Sequence, residues 1–150
     1  MRKQFSKSDI KKFLEEFPPA ELVMNKKSNV AEDDGVLFVG KDACFIKSGD
    51  TWFPTLKLIL RMPDKELIPK LIVDMGAVRF VVNGADIMRP GVVGCGSFEK
   101  DAIILIVDET HQKPLGIGKA LFSSEDLMNR EGGKVIESLH YVGDDYWNAN

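Results

Sequence analysis

The spacing of apolar and polar residues changes period several times along the chain. Ile10, Phe13, Leu14 and Phe17 form one stripe at helical spacing, which predicts a helix over 6–17. Ser6 and Asp9, three apart, make a capping-box pattern at its start, and Pro18–Pro19 stop it. Lys7, Lys11 and Lys12 lie on its outer face, which reads as a solvated face. VLFVG (36–40) and ACFIKS (43–48) then read as strands joined by a two-residue loop at Lys41–Asp42, with turn clusters at 33–35 and 48–50. TWFPTLKLILRMP (51–63) begins with a rigid corner. It is predicted as a helix with Pro54 in its first turn and Leu56, Ile59 and Leu60 on its buried face. A strand through Leu56, Leu58 and Leu60 fits nearly as well.

DKELIP (64–69) is a polar joint ending in proline, and it puts a domain boundary near 67–70, dividing the chain into 1–68 and 69–150. KLIVD (70–74) reads as a buried strand. In 75–84, Val78, Val81 and Val82 share one helical face, and Asn83–Gly84 is a C-terminal stop. ADIMRPGV (85–92) then leads away extended, and DAIILIVD (101–108) is a continuous apolar strand followed by a turn over 109–114. The glycines of LGIGKALFS (115–123) predict a strand with bulges or tight bends. A short helix over 123–133 is capped by Ser123 and ended by Gly132–Gly133. The last strand, 134–142, alternates Val135, Glu137, Leu139 and Tyr141. Many short strands with bends predict an α+β protein whose second half is a small barrel with short helices, not a doubly wound sheet.

Composition narrows the function classes. The 150 residues are 44% hydrophobic and 29% charged, ordinary for a globular chain, and the formal charge of −3 gives no global attraction to nucleic acid. The charge is unevenly spread. Residues 1–68 carry 12 Lys/Arg and 11 Asp/Glu, whereas 120–150 carry 2 and 6, so an anionic partner is expected to avoid the C-terminal segment and meet a local patch. Cys44 and Cys95 are far apart and fit no disulfide framework or zinc ribbon, and they read as reduced buried thiols of a cytoplasmic protein. The N-terminal segment has no apolar core, so a secretory leader is not expected; the longest apolar run, 102–107, is strand-sized rather than membrane-sized.

Catalytic motifs fail on inspection. GIGKAL (116–121) lacks the glycine five positions before Gly118 and the Ser/Thr after Lys119 that a phosphate loop needs. GVVGCG (91–96) has its glycines in the wrong order for a dinucleotide fingerprint, and no G-x-S-x-G elbow occurs. His111 and His140 have no metal-ligand spacing with each other or with cysteine. No cofactor, metal or catalytic residue is expected.

One stretch stands apart: GADIMRPGV (84–92) is too rich in glycine and proline for a helix and too well formed for a loose loop. Together with VDMGAVRFVVN before it, this segment resembles the opening of a PUA domain, a small RNA-binding pseudo-barrel. The pattern is Asp74, Gly76 and Ala77, then Gly84, Ala85, Ile87, Met88, Pro90 and Gly91. WFPTLKLILRMP (52–63) and ESLHYVGDDYW (137–147) resemble the malignant T-cell-amplified sequence and ligatin-like translation factors. That family joins a small α+β pre-PUA domain to a C-terminal PUA domain, which the resemblance places at 1–68 and 69–150.

The resemblance implies non-catalytic binding of structured RNA, a tRNA or an rRNA, in a groove formed by the Gly-Ala…Pro-Gly strand and the helix before it. Gly84, Ala85, Pro90 and Gly91 would form the strand side. Asn83 would donate to phosphate or 2′-OH, Arg79 and Arg89 would edge the groove with guanidinium groups, and Lys70, Lys119 and His140 would border it. Gly84 also reads as a helix cap, and Pro90–Gly91 as an ordinary turn. Two other readings remain open: an adaptor for a translation-factor protein, and an accessory RNA-binding subunit of a tRNA-modifying enzyme. Neither membrane nor DNA is expected as a partner.

Overall fold

A computed structural model describes residues 2–149. Five consecutive strands form the first sheet: β1 (Arg2–Gln4), β2 (Val30–Asp33), β3 (Val36–Val39), β4 (Asp42–Ser48) and β5 (Thr51–Pro54), each antiparallel to the next. Helix α1 (Lys7–Glu16) packs on this sheet. Ser6 Oγ accepts the Asp9 N–H and Asp9 returns the bond to the Ser6 N–H, completing the expected capping box. Ile10 and Phe13 are buried with Leu37, Phe45 and Trp52, where Phe13 meets Phe45 and Trp52 edge-on at 5.3 Å. Pro18–Pro19 do end the α-helix, and the chain continues through a 3-10 turn, Pro18–Leu22.

Two local expectations shift here. The β3–β4 loop is Gly40–Lys41, not Lys41–Asp42, because Val39 pairs with Asp42. Gly40 sits at φ +62, the left-handed value that a tight hairpin of this type needs at its first loop position, so glycine sets the register. Residues 51–54 are strand, not helix: Phe53 pairs with Ile46 and Pro54 with Phe45 at the sheet edge, where a missing N–H is tolerated. The helix, α2 (Leu56–Arg61), starts only after Thr55, whose Oγ1 accepts the Leu58 N–H and donates to the Ala43 carbonyl. That later start buries Leu56, Leu58 and Ile59 and leaves Leu60 exposed.

The second sheet has the order β7-β11-β10-β9-β6-β8. Its members are β6 (Lys70–Val73), β7 (Ile87–Met88), β8 (Val92–Cys95), β9 (Ile103–Asp108), β10 (Pro114–Ala120) and β11 (Lys134–Tyr141). Helices α3 (Met75–Val81) and α4 (Ser124–Asn129) accompany it. The stretch read as simply extended is therefore broken: β7, a 3-10 turn over Arg89–Gly91, then β8. This break explains the shape. β7 and β8 lie at opposite edges of a six-stranded sheet that would be about 24 Å wide if flat. Four chain steps from Met88 to Val92 reach no more than about 14 Å, so the sheet must curl until its edges approach one another. The result is the expected pseudo-barrel, with a seam bridged by chain rather than by a β7–β8 ladder.

Glycine in β10 makes the curl possible. Register shifts fall between Pro114 and Gly116 and between Ile117 and Gly118. The second also changes the parity of β11. Val135, Ile136 and His140 are buried, whereas Leu139 and Tyr141 are only half-buried, so the alternation predicted for this strand breaks at the bulge. Leu71, Val73, Ile104, Ile106, Leu127 and Ile136 fill the barrel. A separate cluster joins the two sheets: Ile46, Phe53, Leu56, Ile59 and Ile68 pack with Leu105, Val107 and Ile117. Both cysteines are free, and burial pushes their thiols up from the ordinary value. No helix among the described residues is long and apolar enough to cross a membrane.

Candidate nucleic-acid interface

Helix α3 begins where Asp74 Oδ1 accepts the Ala77 N–H at 2.9 Å. It ends in a Schellman pattern: Ala85 N–H donates to Phe80 O and Gly84 N–H to Val81 O, both at 3.0 Å, with Gly84 at φ +85. A Cβ at Gly84 would also lie 2.7 Å from Tyr141 Cε1, so only glycine fits between the helix end and the last strand. The chain then returns alongside the helix. Gly91 carbonyl accepts the Asp74 N–H at 2.9 Å, and a Cβ at Gly91 would stand 3.1 Å from Ala77 Cβ. Small residues thus hold the Pro90–Gly91 turn tight against the start of α3.

Between helix and return strand lies an open furrow of about 610 Å³. Gly76, Ala77, Phe80 and Val81 contribute one wall, Ala85, Ile87, Met88, Pro90 and Gly91 the other, and Asp74, Asp86 and Lys134 supply its charged groups. Phe80 and Met88 are 54% and 51% exposed, unusual for side chains of that size.

The sequence-predicted residues divide into three groups. Ala85, Pro90 and Gly91 line the furrow, and Gly84 shapes its lip. Arg79 is exposed on α3 with its guanidinium 4.9 Å from the Phe80 ring centroid. Asn83 is exposed too, but its amide already donates to the Arg79 carbonyl at 2.8 Å. The remaining four lie elsewhere. Arg89 is no groove edge: its two terminal nitrogens donate to Val92 O at 3.1 Å and Met128 O at 3.2 Å, tying the barrel seam to α4. Lys70 sits at the far end of β6 from Asp74, and Lys119 pairs with Asp101 at 3.7 Å; neither lines the furrow. His140 is buried. Sequence reasoning missed Phe80, Met88, Asp86 and Lys134. Phe80 carried a signal, since it lies on the helix face opposite Val78, Val81 and Val82.

Known proteins share the family and the fold of this chain. Residues 69–142 match the PUA domain family. An uncharacterised protein of Methanocaldococcus jannaschii is 38% identical over 99% of this chain and 97% of its own length. Translation machinery-associated protein 20 of Eremothecium gossypii is 31% identical over 99% of this chain and 98% of its own. Malignant T-cell-amplified sequence 1 of Rattus norvegicus is 33% identical, covering 89% of this chain and 80% of its own. The chain belongs to the translation machinery-associated protein 20 and malignant T-cell-amplified sequence family. The crystal structure of a hypothetical protein from Pyrococcus horikoshii superposes with a TM-score of 0.83 at 27% identity, over 99% of both chains.

In this family member, His140 joins the two halves rather than the groove. It is 1% exposed, and Nε2 accepts the Leu56 N–H of α2 at 3.2 Å. Nδ1 therefore carries the proton and donates to Asp144 at 2.8 Å. Asp144 also accepts the Tyr141 and Trp147 N–H groups, folding the chain end around the histidine. Burial pushes the imidazole below its ordinary value of 6.5, against the opposing pull of Asp144. The unfolded chain thus takes up a proton at higher pH than the folded one. The stabilisation is complete above about pH 6.5 and is lost as pH falls through that value. The urea midpoint should accordingly drop between about pH 7.5 and 5.5, and His140→Gln should flatten that part of the profile. A wild-type midpoint independent of pH in this window would contradict the assignment.

Proposed function

We propose that this protein binds structured RNA, a tRNA or an rRNA, without catalysis, through the furrow between α3 and residues 85–91, in translation or RNA modification. The observation that carries the reading is the exposure of Phe80 and Met88 over a floor of glycine and alanine. Unpaired bases stack on such side chains, and the small residues let a strand approach the backbone closely. The furrow's polar groups are already engaged in holding the structure: Asp74 caps α3, and Asp86 accepts the Ser138 N–H and pairs with Lys134. That arrangement favours holding a ligand over transforming one. The translation machinery named in the relatives supports the cellular setting.

Arg79 and Arg89 separate binding from folding. Arg79→Glu should weaken binding to a tRNA transcript by about tenfold and reduce the salt slope by about 0.7–0.9, with Tm unchanged. Arg89→Glu should instead cost about 1–3 kcal/mol of stability, because one half-buried and one exposed guanidinium–carbonyl contact are lost. Anisotropy titrations and urea unfolding of both variants read the two effects, and full RNA affinity in Arg79→Glu would remove the assignment of that residue.

A protein partner, a translation factor or a tRNA-modifying enzyme, is the second reading. It draws on Leu22, 48% exposed, which lines a cavity of about 310 Å³ with Val23, Leu58 and Met62 on the first half of the chain.

A further inference from the structure

The furrow is not basic. Its charged lining is two carboxylates, Asp74 and Asp86, against one ammonium, Lys134. Asp74 is fixed at the start of α3 by the Ala77 N–H. Asp86 holds two partners at once: Oδ1 accepts the Ser138 N–H at 2.8 Å, and Oδ2 lies 3.3 Å from Lys134 Nζ. The Asp86 and Lys134 side chains are 37% and 50% exposed, so the pair stands in the furrow wall in contact with solvent. Ion pairs of this kind are weak and exchange partners readily. A phosphate entering the furrow would have to take Lys134 from Asp86 and then lie beside an uncompensated carboxylate. A base meets no such penalty, since it is uncharged and its amino and imino N–H groups can donate to that same oxygen.

We propose that Asp86 is a specificity-determining residue of this groove: by holding Lys134 and placing its own charge in the wall, it keeps phosphates out, so that a strand enters by its bases while its backbone follows the rim past Arg79. The inference rests on the RNA-binding reading above. It implies that the groove selects unpaired strands and rejects duplexes, whose outer surface is phosphate.

Asp86→Asn is the informative variant, because it keeps an oxygen for the Ser138 N–H while removing the charge and releasing Lys134. The probes are a short single-stranded RNA, the duplex made from it, and a heparin column. Asp86→Asn should raise duplex affinity about 3- to 10-fold and steepen its salt slope by about 0.7–0.9, the signature of one added phosphate contact. Single-strand affinity should not rise, because the amide nitrogen that replaces Oδ2 cannot accept from a base N–H, and elution from heparin should move to higher salt. Adding Lys134→Met should cancel every gain. Asp101→Asn, which frees Lys119 away from the furrow, controls for net charge and should leave the strand-to-duplex preference unchanged. Unchanged duplex affinity in Asp86→Asn, or an equal rise for strand and duplex, overturns the inference. A wild-type protein that binds neither RNA overturns the RNA reading instead. The heparin comparison still judges Asp86 by itself in that case: elution at the wild-type position rejects its role, and a Lys134-dependent delay upholds it.

Discussion

Phe80→Ala should lower affinity for a tRNA transcript by about 5- to 150-fold while leaving the protein as stable as before. The magnitude is the loss of one base–aromatic stack, about 1–3 kcal/mol. Stability is spared because Phe80 is 54% exposed and lies off the helix face that packs into the barrel, where Val81 is buried and Val78 and Val82 are partly so. Two further readouts separate stacking from a change in charge. Phe80→Tyr should keep most of the affinity, since a phenol offers the same ring. The salt slope should stay as in wild type, because no phosphate contact is lost, whereas Arg79→Glu reduces it. Wild-type affinity in Phe80→Ala would mean that RNA does not enter the furrow.

Gly118→Ala carries the largest expected loss of stability, about 3 kcal/mol, which corresponds to a fall in Tm of roughly 6–12 °C for a chain of this size. A Cβ at this position would run into the Ile136 side chain and come within 2.8 Å of the Glu137 carbonyl oxygen. Neither can retreat easily. Ile136 is fully buried and pairs with Ile87 of β7, and Glu137 carbonyl belongs to the neighbouring strand. Any shift of β11 would also move β7, and with it the return wall of the furrow, so RNA affinity should weaken along with Tm. Gly132→Ala is the control: nothing lies within 4 Å of a Cβ there, so the change should be neutral or slightly stabilising. Thermal unfolding of the pair gives the answer, and equal Tm values would show that β10 and β11 are not packed as described.

The chain's own residues determined a good part of this protein. The capping box at Ser6 and Asp9, the apolar stripe of Ile10 and Phe13, the Schellman ending at Gly84 and the bulged glycine strand all act within a few residues, so local pattern suffices to specify them. The Gly-Ala…Pro-Gly signature located the furrow for the same reason: each small residue answers a close approach within one helix and its return. Local pattern failed wherever a choice depended on a distant partner. Thr55 rather than Pro54 starts α2 because Thr55 reaches the Ala43 carbonyl across the sheet. Arg89 and His140 looked like exposed recognition groups, yet one is taken by Met128 O and the other by Leu56 N–H, 39 and 84 residues away. Lys134 and Asp86, 48 residues apart, meet only because β11 pairs with β7 in the second sheet. Whether a polar side chain faces a ligand or satisfies a buried backbone group is a property of the assembled tertiary fold, since burial and partner are assigned only when remote segments pack together.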